Sequence, residues 1–313
     1  MSNNHDKRSS FAGVVILLIT ALVWGFAFVA QRQGAEFIDS ISFSALRFVI
    51  ASFVLGVTVF IGDFARKRAG AKIIKFNRDT IVGGVICGII LFVSTLVQQL
   101  GVEATSSAGK AGFITTLYIV MVPILGILAR RRTSLSKGVA ILLALVGFII
   151  MCVTDDFTLE EGDGLLLLSA VTFGFHIVFI DIYCKNTDPA KFTFLQFATS
   201  AIIGIPFMLA NGAPTPLAIE AAIIPLLYVG IFSSGLAYTL QVEGQRRVHS
   251  STATLIMSLE SVIALLGGAV ILQEQATTEE LVGCLLVFVA VFIAQFEVPA
   301  RFLHFRQMKY FVE

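Results

Sequence analysis

"SSAGKAGFITTLYIVMVP", residues 106–123, has the length and apolar character of a bilayer-crossing helix except that it carries Lys110. At a rise of 1.5 Å per residue, a helix needs ~20 mostly apolar residues to cross a hydrocarbon core about 30 Å thick. An ammonium group at the centre of such a run costs on the order of 2.5 kcal/mol or more, so it implies a partner, a cavity or a path to the headgroups. The reading of this stretch decides the reading of the chain, because apolar runs like it recur from one end to the other.

Of the 313 residues, 57% are hydrophobic and 14% are charged, against roughly 25% charged in soluble domains. The mean hydropathy is +0.89. Little of the chain is left for a large soluble domain. The first run, Phe11 to Gln31, follows Lys7 and Arg8 as a signal peptide would. Its apolar part exceeds the ~7–15 residues of a signal core and no A-x-A-like site follows, so it reads as the first span. Cys87, Cys152, Cys184 and Cys284 lie far apart, without CxxC or alternating Cys/His spacing; they read as packing residues, and neither a cofactor nor a metal site is expected.

Cutting the chain at polar, Gly/Pro and charge-rich breaks gives ten spans: 11–31, 40–61, 80–101, 106–129, 135–153, 164–185, 190–210, 218–241, 249–272 and 278–296. Backbone groups cannot go unpaired in hydrocarbon, and membrane strands would be half as long and would alternate, so the spans are expected to be helices. Basic residues collect in every second loop: Lys7 and Arg8; the run from Arg66 to Arg78; Arg130 to Lys137; Lys185 and Lys191; Arg246 and Arg247; and the tail. The alternate loops are neutral or acidic, most clearly "TDDFTLEEGDG" (154–164). Lys and Arg mark cytoplasmic loops, which places both termini in the cytoplasm. Arg32, Arg47 and Lys110 fall outside this distribution.

Self-similarity runs through the spans. "WGFAF" (24–28) is echoed by "FGFHI" (173–177), "FSALRF" (43–48) by "FTFLQF" (192–197), and "QQLGVEATSSAGK" (98–110) by "QVEGQRRVHSSTAT" (241–254). Basic loops follow the second and fourth spans of the first copy but the first and third of the second. Opposite parity is what an odd-span repeat gives when its second copy is inserted upside down, an arrangement common in secondary transporters. The organisation expected is a cytoplasmic N-terminus (1–10), a first five-helix repeat (11–153), an extracytoplasmic linker (154–163), a second repeat (164–296) and a basic, aromatic tail (297–313) lying on the anionic inner surface.

"LVWGFAFVAQR" (22–32), "ALRF" (45–48), "TSSAGKAGFITTLYIVMVPILG" (105–126) and "AYTLQVEGQRRVHSSTATLIMSLESVIALLGGAVILQE" (237–274) resemble the EamA-type transporters of the drug/metabolite transporter superfamily. The resemblance covers all ten spans. It implies an all-α membrane protein of two inverted five-helix repeats, a central cavity lined by the first, third and fourth helices of each repeat, and transport or export of small metabolites. Two positions depart from the family pattern. Glu260 is followed by Ser261 rather than proline, which removes a proline kink, and Leu272-Gln273-Glu274 stands where the family has Leu-Gly-Glu.

Several polar groups within the spans are candidates for substrate contact. Lys110 sits near the outer end of its span, among small residues suited to close helix packing, which leaves three readings: snorkelling, receiving a substrate carboxylate or phosphate, or neutralising a fixed carboxylate. Gln98 and Gln99 are expected at a similar depth. Glu260 falls near mid-bilayer and reads either as a proton-coupling site or as an acid bonded across to another helix. His176, a lone histidine in mid-span, more often makes a local hydrogen bond than holds metal. Trp24, Tyr118, Thr116 and Tyr238 complete the candidates, with Trp24 and Tyr118 favoured by their positions, while Arg47 reads first as a packing cation.

The function expected is a secondary transporter, with export as the direction, moving a small polar or amphipathic solute such as an amino acid. Its partners are that solute and membrane lipid, with no nucleic acid; monomer and homodimer both stay open. The alternative is a membrane-embedded, lipid-modifying enzyme, for which no convergent catalytic set is visible. The location implied is a cell membrane, of bacterial inner-membrane type.

Overall fold

Short polar side chains start the helices. Asp39 accepts the backbone N–H groups of Ile41 and Ser42 at 3.1 and 3.0 Å, Asn77 that of Thr80 at 2.8 Å, and Ser107 that of Lys110 at 3.2 Å. Asp188 accepts from Ala190 and Lys191, with Pro189 in the first turn. Each cap satisfies N–H groups that the first turn leaves without partners, and proline there gives up a donor the helix does not need. Glycines close two helices: Gly70 (φ +67°) follows the second and Gly212 (φ +97°) the eighth, conformations that a Cβ would strain.

The computed structural model describes residues 2–105, 107–128, 135–152, 161–275 and 277–295, without the side chains of residues 2–10, 123, 126–128, 135, 137, 148, 151, 152, 251, 291, 294 and 295. The helices are α1 (Ser2–Ala35), α2 (Ser40–Arg68), α3 (Arg78–Glu103), α4 (Ala108–Thr115), α5 (Tyr118–Leu128), α6 (Leu135–Cys152), α7 (Glu161–Tyr183), α8 (Pro189–Asn211), α9 (Pro216–Ala221), α10 (Ile223–Leu227), α11 (Tyr238–Gln245), α12 (Ser250–Met257), α13 (Leu259–Gly267) and α14 (Thr278–Gln295). Wider π-helical turns join α10 to α11 (Tyr228–Ala237) and follow α13 (Gly268–Leu272). No strand occurs among the described residues. The basic segment Arg130–Arg132, the linker at 154–160 and the tail at 297–313 lie outside the described residues.

Among the described residues, seven helical runs are long and apolar enough to cross a membrane: Phe11–Ala35, Ser40–Arg68, Arg78–Glu103, Glu161–Asn186, Pro189–Asn211, Ile223–Gln245 and Thr252–Leu272. The sequence predicts ten. The other three regions are helical but shorter, as α4 with α5, α6, and α14. The fourth region is interrupted at Thr116, whose hydroxyl donates back to the Phe113 carbonyl at 2.7 Å. A matching interruption falls at Ser258, whose hydroxyl donates to Leu255 at 2.8 Å, while that of Ser261 donates to Ser258 at 2.8 Å. Hydroxyls that bond back along a helix loosen and bend it. The helix breaks beside Glu260 although Ser261 replaces the kinking proline.

Apolar side chains face outward: Phe53 and Phe60 on α2, Ile202 on α8 and Ile224 on α10 are each more than 70% exposed. Arg47, Gln99, Gln196 and Glu260 are buried. That inside-out distribution suits a lipid solvent and would aggregate in water. The described spans thus make a multi-pass, all-α membrane protein. Its helices pack in related pairs: α2 on α8 and α6 on α14; α3 on α7, and α1 on the π turn and α11; α3 on α8, and α2 on the π turn; α1 on α13, and α5 on α7.

Glycine makes the α3–α8 contact possible. A Cβ at Gly88 would lie 2.6 Å from the Gln196 carbonyl oxygen and 2.7 Å from Thr199 Cβ, and one at Gly84 would lie 2.7 Å from Leu195 Cβ. This small-xxx-small spacing brings the two backbones together. Gly88→Leu is expected to separate the helices and cost about 3 kcal/mol, the upper range for overpacking. Gly62→Leu on α2 is the control, because nothing lies within 4 Å of a Cβ there. Thermal unfolding in detergent checks both; equal stability of the two variants would sink the packing argument.

Candidate functional site

A cavity lies among the helices of both halves. Trp24, Ala27, Phe28 and Gln31 enter it from α1, Gln98 from α3, Thr115 and Tyr118 from the interrupted α4–α5 run, Phe173 and Ile177 from α7. Ser233, Tyr238 and Gln241 come from the π turn and α11, and Glu260 from α13. These are the first, third and fourth helices of each half. Arg47, from α2, is the addition.

The aromatic wall is fixed by stacking and hydrogen bonding. Trp24 lies 4.8 Å from Tyr238 between ring centroids, and its Nε1 donates to the Ser233 carbonyl at 3.2 Å. Phe197 meets the far side of Tyr238 edge-on at 5.2 Å. Such tilted and edge contacts hold the rings in place.

A buried cation and a buried acid share the cavity. Arg47, 2% exposed, donates through Nε to Ser234 Oγ at 3.3 Å and through Nη1 to Gln31 Oε1 at 3.2 Å. Glu260, 3% exposed, receives the Tyr118 hydroxyl at 2.9 Å. That bond joins α5 to α13 next to both helix interruptions. Thr115 Oγ1 and Gln241 Oε1 are buried without a partner among the described residues. Buried polar groups are normally satisfied within the protein, so this surplus capacity is directed at whatever occupies the cavity.

Of the residues singled out in the sequence, Trp24, Gln98, Tyr118, Tyr238 and Glu260 line the cavity together. Lys110 does not. Its Nζ lies 3.0 Å from Asp163, at the start of α7, with the two side chains 12% and 3% exposed. Gln99 donates to the Gln31 carbonyl at 3.2 Å, tying α3 to α1. Thr116 ends α4. His176 lies behind the wall, with Nε2 2.7 Å from Gln196 Oε1 and its ring edge-on to Tyr238. Among the described residues no three His, Cys, Asp or Glu side chains are placed to hold a metal ion.

Gln31, Thr115, Ser233 and Gln241 are polar lining residues that were not candidates from the sequence, and Arg47, read there first as a packing cation, joins them. The internal repeat carried a signal for one of them: aligning "QQLGVE" with "QVEGQ" sets Gln241 opposite Gln98, just as Phe173 stands opposite Trp24 and Ile177 opposite Phe28. All six residues of these pairs line the cavity.

Ionic contacts close both ends of the bundle around this site. At one end Arg66 pairs with Asp188 at 3.0 Å and Lys191 with Asp63 at 2.6 Å, binding α2 to α8. At the other, Asn211 donates to Asp39 at 3.1 Å across the same two helices, and the Glu103 carboxylate accepts from Ser40. There too Glu274 accepts the Ala108 N–H at 3.1 Å. Gln273, the residue that departs from the family's glycine, holds a left-handed φ of 59° just before it.

A multi-pass helical membrane protein with a buried polar cavity enclosed by both halves of its chain is the class that fold and site define. The EamA-like transporter family model matches residues 11–153 and again 161–296, and the chain belongs to that family. A protein of Archaeoglobus fulgidus named an uncharacterized transporter is 31% identical over 90% of this chain and 85% of its own. The uncharacterized transporter YoaV of Bacillus subtilis is 20% identical over 91% of this chain and 97% of its own. A crystal structure shares the fold, with a TM-score of 0.70 at 14% identity over 90% of this chain and 96% of that chain. The matches point to a transporter rather than an enzyme.

Proposed function

We propose that the protein is a secondary transporter that moves a small polar or amphipathic metabolite, such as an amino acid or a related compound, by alternating access, with export as its direction. The observation that carries this reading is the central cavity, where a buried cation, a buried acid and the unpartnered Thr115 hydroxyl and Gln241 amide oxygen meet an aromatic wall at the junction of both halves. In this reading the chain crosses the membrane ten times as two inverted five-helix repeats, with both termini cytoplasmic. Supporting it, the helix pairings come in sets that exchange when the halves are exchanged: α1 on α13 with α7 on α5, and α3 on α7 with α11 on α1. Interrupted helices at the cavity, one from each half, fit the half-helix sites of such transporters. Glu260 is assigned the proton-coupling role.

The test is uptake of a labelled metabolite panel by proteoliposomes, with and without a pH gradient. Movement of at least one solute above protein-free vesicles, altered by the gradient, is the expected result. Movement of none, alongside turnover of an added lipid, would replace transport with membrane-embedded lipid chemistry.

A further inference from the structure

Arg47 is buried in the middle of the bundle, and among the described residues no carboxylate lies within 4.0 Å of it. Lys191 and Lys110, by contrast, each have an aspartate. A guanidinium has five N–H donors; the protein engages Nε with Ser234 and Nη1 with Gln31, both neutral acceptors. The remaining donors on Nη1 and Nη2 have no acceptor among the described residues, and Arg47 lines the cavity. An unpaired buried cation is expensive, more so in a membrane. The two neutral acceptors hold the group in place without cancelling its charge, which is how a site for an incoming anion differs from a structural ion pair.

The geometry of the head narrows the ligand. A planar fork of N–H groups matches the two oxygens of a carboxylate, and the Gln98 amide offers further donors from the same wall. Charge narrows it further: the cavity holds one cation and one acid, Glu260. A monoanion is compensated by Arg47, whereas a phosphate dianion would bring surplus negative charge beside Glu260 in a medium that screens poorly. Trp24, Phe28 and Tyr238 leave an apolar wall for the rest of the molecule.

We infer that Arg47, assisted by Gln98, is the subsite that receives the carboxylate of a small monocarboxylate substrate whose body rests on the Trp24–Tyr238 wall. This rests on the transporter reading for its role in flux, but binding alone tests it. Purified protein in detergent is titrated with matched acid and amide pairs, L-leucine with L-leucinamide and 3-phenylpropionate with 3-phenylpropionamide, and with inorganic phosphate. In the unaltered protein the acid of at least one pair is expected to bind roughly 10- to 100-fold more tightly than its amide, the worth of a charge-assisted bidentate contact. That ratio falls to about one in Arg47→Gln and partway in Gln98→Leu. Rescue of the ratio by Arg47→Lys is expected to be incomplete, because a point charge lacks the fork.

Equal binding of acids and amides, or phosphate binding as tightly as the acids, overturns the assignment even if Arg47→Gln does not fold. Acid preference without flux in proteoliposomes would sink the transporter reading and leave the subsite standing. Flux that carries amides as well as acids would do the reverse.

Discussion

Glu260→Gln is expected to abolish the response of transport to a pH gradient while leaving the protein folded. The glutamine side chain has the same volume, and its carbonyl can still receive the Tyr118 hydroxyl that reaches Glu260 at 2.9 Å, so the junction between α5 and α13 keeps its shape. What it loses is a group that can take up and release a proton inside the cavity. One proton moving down a gradient of one pH unit supplies about 1.4 kcal/mol, equivalent to tenfold accumulation of solute. The variant is expected to lose that tenfold in gradient-driven uptake, falling to the level reached without a gradient, while exchange of labelled for unlabelled solute continues. Full uptake with full gradient dependence in Glu260→Gln would exclude coupling through this residue.

Tyr118→Phe separates the acid's two roles. It leaves the carboxyl in place but removes its donor, a change that costs about 1–3 kcal/mol where the buried partner is left unsatisfied. If the bond across the helix interruptions matters only for structure, stability falls and the response to the gradient is retained. If it sets the state of the acid during transport, the pH at which uptake is half-maximal moves with the substitution.

The sequence made the apolar scaffold legible because lipid forces a long, nearly uncharged run on any helix that crosses it, as in Phe11–Ala35 and Arg78–Glu103. Shorter regions were harder to read. The run around "SSAGKAGFITTLYIVMVP" looks continuous in composition, yet Thr116 ends α4 by bonding back to Phe113, a choice of side-chain rotamer that hydropathy does not register. At the second interruption the missing proline suggested a straight helix, yet the helix breaks where serine hydroxyls bond back along it.

Within the site, aromatic and amide positions were visible through the internal repeat, since equivalent residues of two related halves meet on one cavity. The charges were not separable in that way. Lys110 and Arg47 are both cations inside apolar runs, and what distinguishes them is their surroundings in space: Asp163, 53 positions away in the chain, meets Lys110, whereas Arg47 meets Ser234 and Gln31. Pairing over such separations depends on how the helices pack and leaves no local trace.

Lys110 and Asp163 should behave as a unit in stability measurements. The pair links α4 of the first half to the first turn of α7 in the second, with both side chains largely out of solvent. Removing one member takes the closest counter-charge from the other in a poorly solvated setting, at a cost of about 3 kcal/mol, the low end for buried pairs because Lys110 keeps some exposure. Lys110→Met and Asp163→Leu are each expected to lower the unfolding temperature in detergent. The double variant loses less than the sum, by about 2 kcal/mol of coupling, since the contact between the two side chains is already gone in either single variant. Additive losses would mean that the contact contributes nothing beyond its separate parts. The Glu274 carboxylate, which accepts the Ala108 N–H at the same end, supplies the internal comparison. Glu274→Gln removes the charge next to the start of α4 but can keep the cap through its amide oxygen, so its loss is expected to stay near 1 kcal/mol. A loss there as large as that of Asp163→Leu would shift the ionic seal of this end from Lys110 to the helix terminus beside it.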